Sequence, residues 1–244
     1  YFVFNIHAGD LALERRWPRQ HFQTLIARLL ALRPDAIAVL TAGSSSLKFS
    51  LYAETPQDLV LVARGQAEAL HTAPRFVAKD AAGAVLDEKS WGEGASLGHA
   101  GALEHLVAFL RERMSEHRLA GVGHRVVHGG LEYSAPVRVD ATILDALGKY
   151  VPLAPLHQPH NLAPIRALLE RSPQLPQVAC FDTAFHRGQP PVAQAFALPR
   201  EITDRGVIRY GFHGLSYEYV AGVLPGIDAR AASGRTVVLH LGNG

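Results

Sequence analysis

Residues 41–52 read Thr41-Ala-Gly-Ser-Ser-Ser-Leu-Lys-Phe-Ser-Leu-Tyr52, and they follow an apolar run from Ile37 to Leu40. After the small residues Ala42 to Ser46, apolar and polar side chains alternate from Leu47 onward. Alternation on both sides of a small-residue turn predicts a β-hairpin. We expect this hairpin to begin the central sheet of the fold.

The predicted turn has the chemistry of an anion site. Ser44 and Ser46 offer hydroxyl donors, the backbone offers N–H groups, and no bulky side chain keeps a ligand away. Lys48 adds a point charge that suits phosphate. Composition alone leaves an ordinary hairpin with a solvated lysine as the alternative. The stretch is not a P-loop, because the Gly-x-x-x-x-Gly-Lys spacing and the following helix are missing.

The composition excludes several classes of protein. Hydrophobic residues make up 48% of the 244 residues and charged residues 19%, with Lys+Arg 24 against Asp+Glu 22. This balance, without a run of basic residues, argues against nucleic acid as a partner. No apolar stretch reaches the ~18 residues of a membrane span. With Cys180 as the single cysteine and no signal-peptide pattern, we expect a cytoplasmic protein with no membrane partner.

An arginine that could hold a carboxylate lies in the segment Val122 to Gly130. The apolar strand predicted there delivers Arg125 and His128 toward a Gly-Gly turn. Arginine's planar fork binds a carboxylate through two hydrogen bonds, which lysine cannot do. The alternative is an ordinary surface arginine at the end of a strand.

Two further stretches place polar residues after apolar ones. In residues 152–161 prolines should hold a loop extended, with His157 as a candidate donor and Asn161 as the cap of a helix that runs to about Glu170. Residues 178–186 begin as an apolar strand and continue with Asp182, and open α/β sheets place functional carboxylates at such strand ends. A lone loop histidine is more often structural, which leaves His157 open on its own.

The last stretches are rich in glycine. Residues 209–216 contain Phe212 and His213 between glycines, before a helix predicted over about Ser216 to Val223, whose N-terminus can face an anion. Residues 236–244 read as a strand that enters a Gly-Asn-Gly turn. Elsewhere the pattern predicts strands within 58–70 and 78–86 and a core-facing helix over 101–117.

In chain order these stretches resemble the acetate kinase family of the acetate and sugar kinase/Hsp70/actin superfamily. The similar motifs are Ala42-Gly-Ser-Ser-Ser-Leu-Lys48, His124-Arg-Val-Val-His-Gly-Gly130, Leu153-Ala-Pro-Leu-His157, Phe181-Asp-Thr-Ala-Phe-His186, Arg209-Tyr-Gly-Phe-His-Gly214 and His240-Leu-Gly-Asn-Gly244. The chain departs from the family at five positions, which are Thr41 and Gln158 for asparagines, Leu131 for a glutamate, Leu215 for a threonine and Tyr217 for a histidine.

The resemblance implies a role for each candidate residue. Asp182 and His213 would be catalytic, and Arg125, His157 and Phe212 would bind the substrate. ATP and its phosphates would be bound by Ser44, Ser46, Lys48, His240, Leu241, Gly242, Asn243 and Gly244. Thr41 takes the place of the family's metal-linked asparagine and keeps a hydroxyl oxygen but no amide. Since acetate, with a pKa near ~4, is already ionised at neutral pH, we assign Asp182 to the control of water, metal or geometry rather than to base catalysis.

The resemblance also implies a fold and a reaction. The fold is α/β, a ribonuclease-H-like domain of the actin-like ATPase type, with a mixed sheet flanked by helices and an active site in the cleft between two domains. The reaction is reversible phosphoryl transfer from ATP to acetate, giving acetyl phosphate and ADP, with Mg²⁺ or Mn²⁺ as cofactor and a homodimer as the assembly. The alternatives are an inactive fragment that binds small anions only, or a propionate or butyrate kinase, because one methylene is worth only ~1–3 kcal/mol of discrimination.

The resemblance divides the chain into three parts. Residues 37–233 correspond to the family's N-terminal domain and residues 234–244 to the first strand of a second domain. Residues 1–36 lie outside the family, as a fusion or artefact, and their predicted strand (2–6) and helix (21–32) are faintly similar to part of heptosyltransferase-type glycosyltransferases. The chain starts at Tyr1 and stops inside a motif, so we expect a fragment that is inactive alone and self-associates through its unpaired strand 235–241.

Overall fold

The computed structural model of this chain describes residues 2–7, 36–55, 59–113 and 119–241, and only the backbone of residues 2–7. The chain divides into two compact units. The larger unit lies within residues 26–181, and the smaller unit combines residues 1–25 with residues 182–244. The two units are described separately below.

The larger unit is built on a sheet of eight strands. These are β2 (Ala36–Ala42), β3 (Leu47–Glu54), β4 (Leu59–Glu68), β5 (Arg75–Asp80), β6 (Val85–Ser90), β7 (Leu119–Val126), β8 (Val137–Arg138) and β9 (Gln177–Phe181), in the order β6-β5-β4-β3-β2-β7-β9-β8. Strands β2 to β6 form an antiparallel meander, whereas β2–β7 and β7–β9 are parallel pairs. The mixed sheet and the predicted hairpin of β2 and β3 are both confirmed.

Helices cover one face of this sheet. The larger unit contains α1 (Gly98–Arg113), α2 (Ala141–Gly148), α3 (Gln158–Arg171) and a 3₁₀ turn (Val151–Leu153). Phe49 and Phe76 stack on this face with ring centroids 5.8 Å apart, and Phe109 of α1 packs on both. A Cβ on Gly65 would come within 2.6 Å of the Phe49 ring, so glycine at this position of β4 makes room for the aromatic cluster.

Several sequence predictions for the larger unit need correction. The range 78–86, where strands are predicted, holds the end of β5 and the start of β6, and Gly83 turns the chain between them with a φ of 95°. The loop predicted as extended around Pro152 contains the 3₁₀ turn. Helix α1 begins at Gly98, before the predicted Gly101, and residues 114–118 lie outside the described residues.

The described residues of the smaller unit include the last strand and four helices. They are β10 (Thr236–Leu241), α4 (Pro191–Gln194), α5 (Arg200–Thr203), α6 (Gly214–Ile227) and α7 (Ala229–Ser233), with a 3₁₀ turn at Phe185–Gly188. The prediction that β10 lacks a strand partner in this chain is wrong, because it pairs in parallel with β1 (Phe2–His7). The strand predicted at residues 2–6 is thereby confirmed, and the helix predicted at 21–32 lies outside the described residues.

Candidate functional site

Three candidate side chains form a row on one face of the larger unit's sheet. Lys48 of β3 pairs with Thr41 of β2, and Arg125 of β7 lies one step beyond the pair Leu40–His124. Paired residues on neighbouring strands point to the same face, and the strands are ~4.8 Å apart. Two cations therefore flank one hydroxyl on the face opposite the aromatic core. Lys48 is exposed, and Arg125 is half-buried.

The turn at residues 43–46 joins this row at its edge. Gly43 N donates to Ser46 O at 2.8 Å, and Ser45 O accepts from Leu70 N at 3.2 Å, so the turn is closed and tied to the chain after β4. Within the described part of the chain, the N–H groups of Ser44 and Ser45 have no hydrogen-bond acceptor, and both residues are exposed. These are the free donors that an anion site needs.

Two residues hold the base of this turn: His99, for which the sequence predicts no role, and Asn161, which it predicts only as a helix cap. Asn161 Nδ2 donates to Ala42 O at 2.7 Å, and His99 Nε2 lies 2.7 Å from Gly43 O. The prediction that Asn161 caps α3 is wrong: the helix begins at Gln158, and Asn161 lies inside it with its side chain bonded to other elements. His157, which precedes the helix, is exposed and available to a ligand.

The Gly-Gly loop after β7 is built around His128. This residue is 1% exposed, and its Nδ1 accepts from Gly130 N at 2.9 Å. Burial lowers the pKa of His128, which keeps the ring neutral so that Nδ1 can accept. A Cβ on Gly130 would come within 2.3 Å of the Tyr150 ring. His128 therefore shapes the loop, and Arg125 is the cation that β7 brings to the open face.

Gln158 of α3 holds the same loop in place through hydrogen bonds. The resemblance to the acetate kinase family implies asparagine at this position. Gln158 is fully buried, and its Oε1 accepts from His128 N at 3.1 Å while its Nε2 donates to His128 O and Leu147 O. The longer side chain thus bonds the loop after β7 and the end of α2 at once.

In the smaller unit, a strained backbone sets the position of His213. Its φ of 57° and ψ of 22° are left-handed, a conformation that costs a non-glycine residue roughly 1–3 kcal/mol. The next residue, Gly214, donates its N–H to Asp182 O at 2.8 Å, and a Cβ there would come within 2.3 Å of that oxygen. This contact joins the two predicted catalytic segments through their backbones. Asp182 is 1% exposed.

The rings of His213 and His240 stack with centroids 4.5 Å apart and an interplanar angle of 16°. His240 belongs to β10, so the stack brings the predicted transition-state histidine to the predicted phosphate strand. Tyr217, in place of the family's second histidine, lies against His240 at 6.3 Å and against His186 at 5.6 Å. His186 Nε2 in turn lies 3.0 Å from Phe212 O, to which it donates.

The other candidate residues of the smaller unit lie on its surface or outside the residues that the structure describes. Phe212 is 40% exposed and Leu241 is 47% exposed, as ligand contacts require. Residues 242–244, predicted to bind phosphate, lie outside the described residues.

The oxygen donors suit a cation held mainly by a nucleotide. In the described part of the chain, no group of three or more His, Cys, Asp or Glu could hold a metal ion by itself. Magnesium commonly keeps several waters and binds one or two protein oxygens together with substrate phosphates. Thr41, between the two cations of the row, offers a hydroxyl oxygen of this kind.

No described helix is long and apolar enough to cross a bilayer.

The family profile of the Acetokinase family matches residues 36–244. The chain belongs to this family. Among its relatives, the acetate kinase of Rhizobium meliloti is 50% identical over 216 residues, and that of Rhodopseudomonas palustris (strain ATCC BAA-98 / CGA009) is 48% identical over 213 residues. Each alignment covers 86% of this chain and 53% of the relative. The chain thus spans about half the length of the curated relatives it matches.

Solved structures of acetokinase relatives share the fold. A propionate kinase from Francisella tularensis subsp. tularensis SCHU S4 has a TM-score of 0.69 at 35% identity, and the acetate kinase of Porphyromonas gingivalis has 0.68 at 32%. Each comparison covers 79% of this chain and 49% of the other. The α/β fold with a mixed sheet, of the actin-like ATPase type, is therefore confirmed.

Proposed function

We propose that this chain provides the acetate-binding and phosphoryl-stabilising residues of an acetate kinase, which transfers the terminal phosphoryl group of ATP to acetate. The observation that carries the proposal is the row of Lys48, Thr41 and Arg125 beside a turn whose N–H groups are open. Membership of the acetokinase family and the relatives named above support it.

The row of Lys48, Thr41 and Arg125, with the turn at residues 43–46, would bind both anions. Arg125 would hold the acetate carboxylate through two parallel hydrogen bonds, and exposed His157 would donate a further one. Lys48, the hydroxyls of Ser44 and Ser46 and the turn's N–H groups would bind phosphate oxygens, which are also anionic acceptors. Thr41 would offer its hydroxyl to the cation that ATP carries. That cation, Mg²⁺ or Mn²⁺, supplies neutralisation of phosphate charge when it is bound.

The residues proposed to act on the transferring group are His213 and Asp182. His213 would donate to the equatorial oxygens of the phosphoryl group as charge builds on them. A carboxylate oxygen of acetate forms a bond to the terminal phosphorus, the bond from that phosphorus to the oxygen bridging to ADP breaks, and ADP leaves with the electron pair. No proton has to be removed from acetate at neutral pH. Asp182 would control water and geometry, as proposed from the sequence.

The test is formation of acetyl phosphate by an active form of the protein that contains this chain, because the chain alone is expected to be inactive. Hydroxylamine traps the product as a hydroxamate, and the assay includes wild type, His213→Ala and a reaction without acetate. The proposal expects ATP-dependent hydroxamate in wild type with acetate, roughly 100-fold slower formation in His213→Ala, and none without acetate. Acetate and ATP binding without turnover would favour the second candidate, a domain that binds small anions only. Absence of both binding and turnover would contradict the proposal.

A third candidate, a propionate or butyrate kinase, is favoured by the likeness to the Francisella tularensis propionate kinase. One methylene changes specificity by only ~1–3 kcal/mol, so the same assay is run with acetate, propionate and butyrate. A higher kcat/KM for propionate than for acetate would establish this alternative.

Three further predictions extend the proposal. Residues 37–233 would be one domain and residues 234–244 the first strand of another, the active protein would be a homodimer, and it would reside in the cytoplasm. Limited proteolysis, with comparison of the fragment lengths, tests the domain division. Sedimentation tests the homodimer, and cell fractionation tests the location.

A further inference from the structure

The turn at residues 43–46 is held from the core side by two helices. His99 lies in α1 and Asn161 in α3, and each bonds one of two successive carbonyls, Gly43 O and Ala42 O. Because a carbonyl oxygen only accepts, His99 must carry its ring proton on Nε2. Burial is the main reason why the pKa of His99 is lowered, so the neutral ring that makes this bond is the favoured form at neutral pH.

These bonds decide which way the open N–H groups point. In a trans peptide the C=O and the N–H point in opposite directions. When His99 holds Gly43 O on the core side, the N–H of the same peptide, which belongs to Ser44, must point away from the core. A rotation of this peptide would instead present a carbonyl oxygen, which repels phosphate.

Asn161 joins the turn to the strand that carries the carboxylate-binding arginine. Its Oδ1 accepts from Val127 N at 2.9 Å, two residues beyond Arg125, while its Nδ2 holds Ala42 O. The side chain is 5% exposed, so both bonds lie in the interior. The ring of His160, next to Asn161, stacks on His99 at 5.3 Å and brings the two helices together under the turn.

We propose that His99 and Asn161 are positioning residues, which fix the turn's N–H groups in the orientation that binds phosphate. This inference rests on the proposed function, since it assumes that the turn binds ATP phosphates. Neither side chain belongs to the open row. Their loss should weaken nucleotide binding by loosening the turn, and for His99 it should leave acetate binding unchanged.

The test measures order and binding separately in the full chain. Amide hydrogen exchange of Gly43, whose N–H donates to Ser46 O, reports order, and backbone amide shifts of residues 43–46 during titration with Mg·ATP report binding. His99→Leu removes the donor, and His99→Gln restores an amide donor. The matched control is His105→Leu, because His105 is a part-buried histidine of α1 whose bond goes to Asp87.

In His99→Leu we expect the amide hydrogen of Gly43 to exchange faster and Mg·ATP to bind more weakly. Each change should be roughly threefold to tenfold, which corresponds to the loss of one net hydrogen bond. Asn161→Asp, which keeps the acceptor for Val127 but loses the donor to Ala42, should act in the same direction. His99→Gln should recover most of the loss, and His105→Leu should behave as wild type.

Unchanged Gly43 exchange in His99→Leu, or wild-type affinity despite faster exchange, would overturn the inference. So would equal effects of His99→Leu and His105→Leu, since the effect would then be one of general packing. A wild-type chain whose turn does not respond to Mg·ATP would contradict the proposed function instead, and hydrogen exchange would still decide whether His99 orders the turn.

Discussion

Arg125 carries the specificity of the proposed site at the scale of a single residue. It lies in the row with Thr41 and Lys48, and its fork geometry is what distinguishes a carboxylate site from a general cation site. A charge alone would attract ATP and acetate alike. The planar fork is therefore the feature to test by substitution.

We predict that Arg125→Ala, in an active form of the protein, raises the KM for acetate far more than the KM for ATP. A charge-assisted hydrogen bond is worth about 1.5–3 kcal/mol, so the acetate KM should rise by roughly tenfold or more. Arg125→Lys, which keeps the charge but not the fork, should show part of the same effect. The control is Arg138→Ala, an exposed arginine of β8. Steady-state kinetics decide, and equal changes for both substrates would contradict the assignment.

His213 is positioned by its left-handed backbone, and its proposed role is to stabilise the transition state. We predict that His213→Ala lowers kcat with little change in either KM, because a donor aimed at the transferring group acts as charge builds there. The loss should be on the order of ~3 kcal/mol in activation free energy. The measurement is kcat from initial rates with both substrates saturating. An unchanged kcat would assign His213 to structure alone.

At the scale of the elements, a buried histidine joins two parallel strands. His124 of β7 is 1% exposed, and its Nε2 lies 2.8 Å from Gln177 Oε1 of β9. Within the described residues its Nδ1 has no hydrogen-bond partner. Burial lowers the pKa of His124 from 6.5 to about 4. The folded sheet is therefore stable with the His124 ring neutral.

We predict that the chain loses stability as the pH falls from 6.5 towards 4 because of His124. In this range the unfolded chain binds a proton at this residue and the folded chain does not, so unfolding is favoured at lower pH. The shift corresponds to about 3 kcal/mol at its full extent, and the contribution is fully present above pH 6.5. Denaturant unfolding of wild type and His124→Gln across this range is the measurement. Parallel pH profiles for the two proteins would contradict the prediction.

The sequence predicted the elements whose signals are local. The hairpin of β2 and β3 was predictable because Leu47, Phe49 and Leu51 alternate with polar residues on the strand after the turn. The exact ends of β5 and β6 were not predictable, because both strands extend beyond the apolar residues of 78–86 into polar ones.

The hydrogen bonds of Asn161 and His99 to the turn could not be predicted from the sequence, because they join residues that are far apart along the chain. Asn161 bonds a carbonyl 119 positions away and His99 one 56 positions away, so no local pattern shows either partner. For the same reason the sequence predicts Asn161 as a helix cap, which is the usual local role of asparagine near a helix start. The left-handed backbone of His213 was likewise invisible, although the glycine that follows it was noted.

At the scale of the whole molecule, the last strand presents an apolar face. Val237, Leu239 and Leu241 are 40%, 39% and 47% exposed, and they alternate along β10. We predict that the chain self-associates at micromolar concentration through this face. Leu239→Lys should restore a smaller species in sedimentation velocity, whereas Val192→Lys, at an isolated residue that is 82% exposed, should not. A clean monomer in wild type would contradict this prediction.

The claim on which the account depends is that acetate itself attacks phosphorus. Acetate labelled with heavy oxygen in its carboxylate tests this directly in reactions with an active form of the protein, ATP and Mg²⁺. Hydroxylamine then cleaves the acyl–oxygen bond of acetyl phosphate, and mass spectrometry weighs the phosphate released. We predict phosphate that carries a single heavy oxygen from acetate, formed much more slowly by His213→Ala than by wild type. Phosphate without the label would show that water, not acetate, receives the phosphoryl group, and would contradict the account.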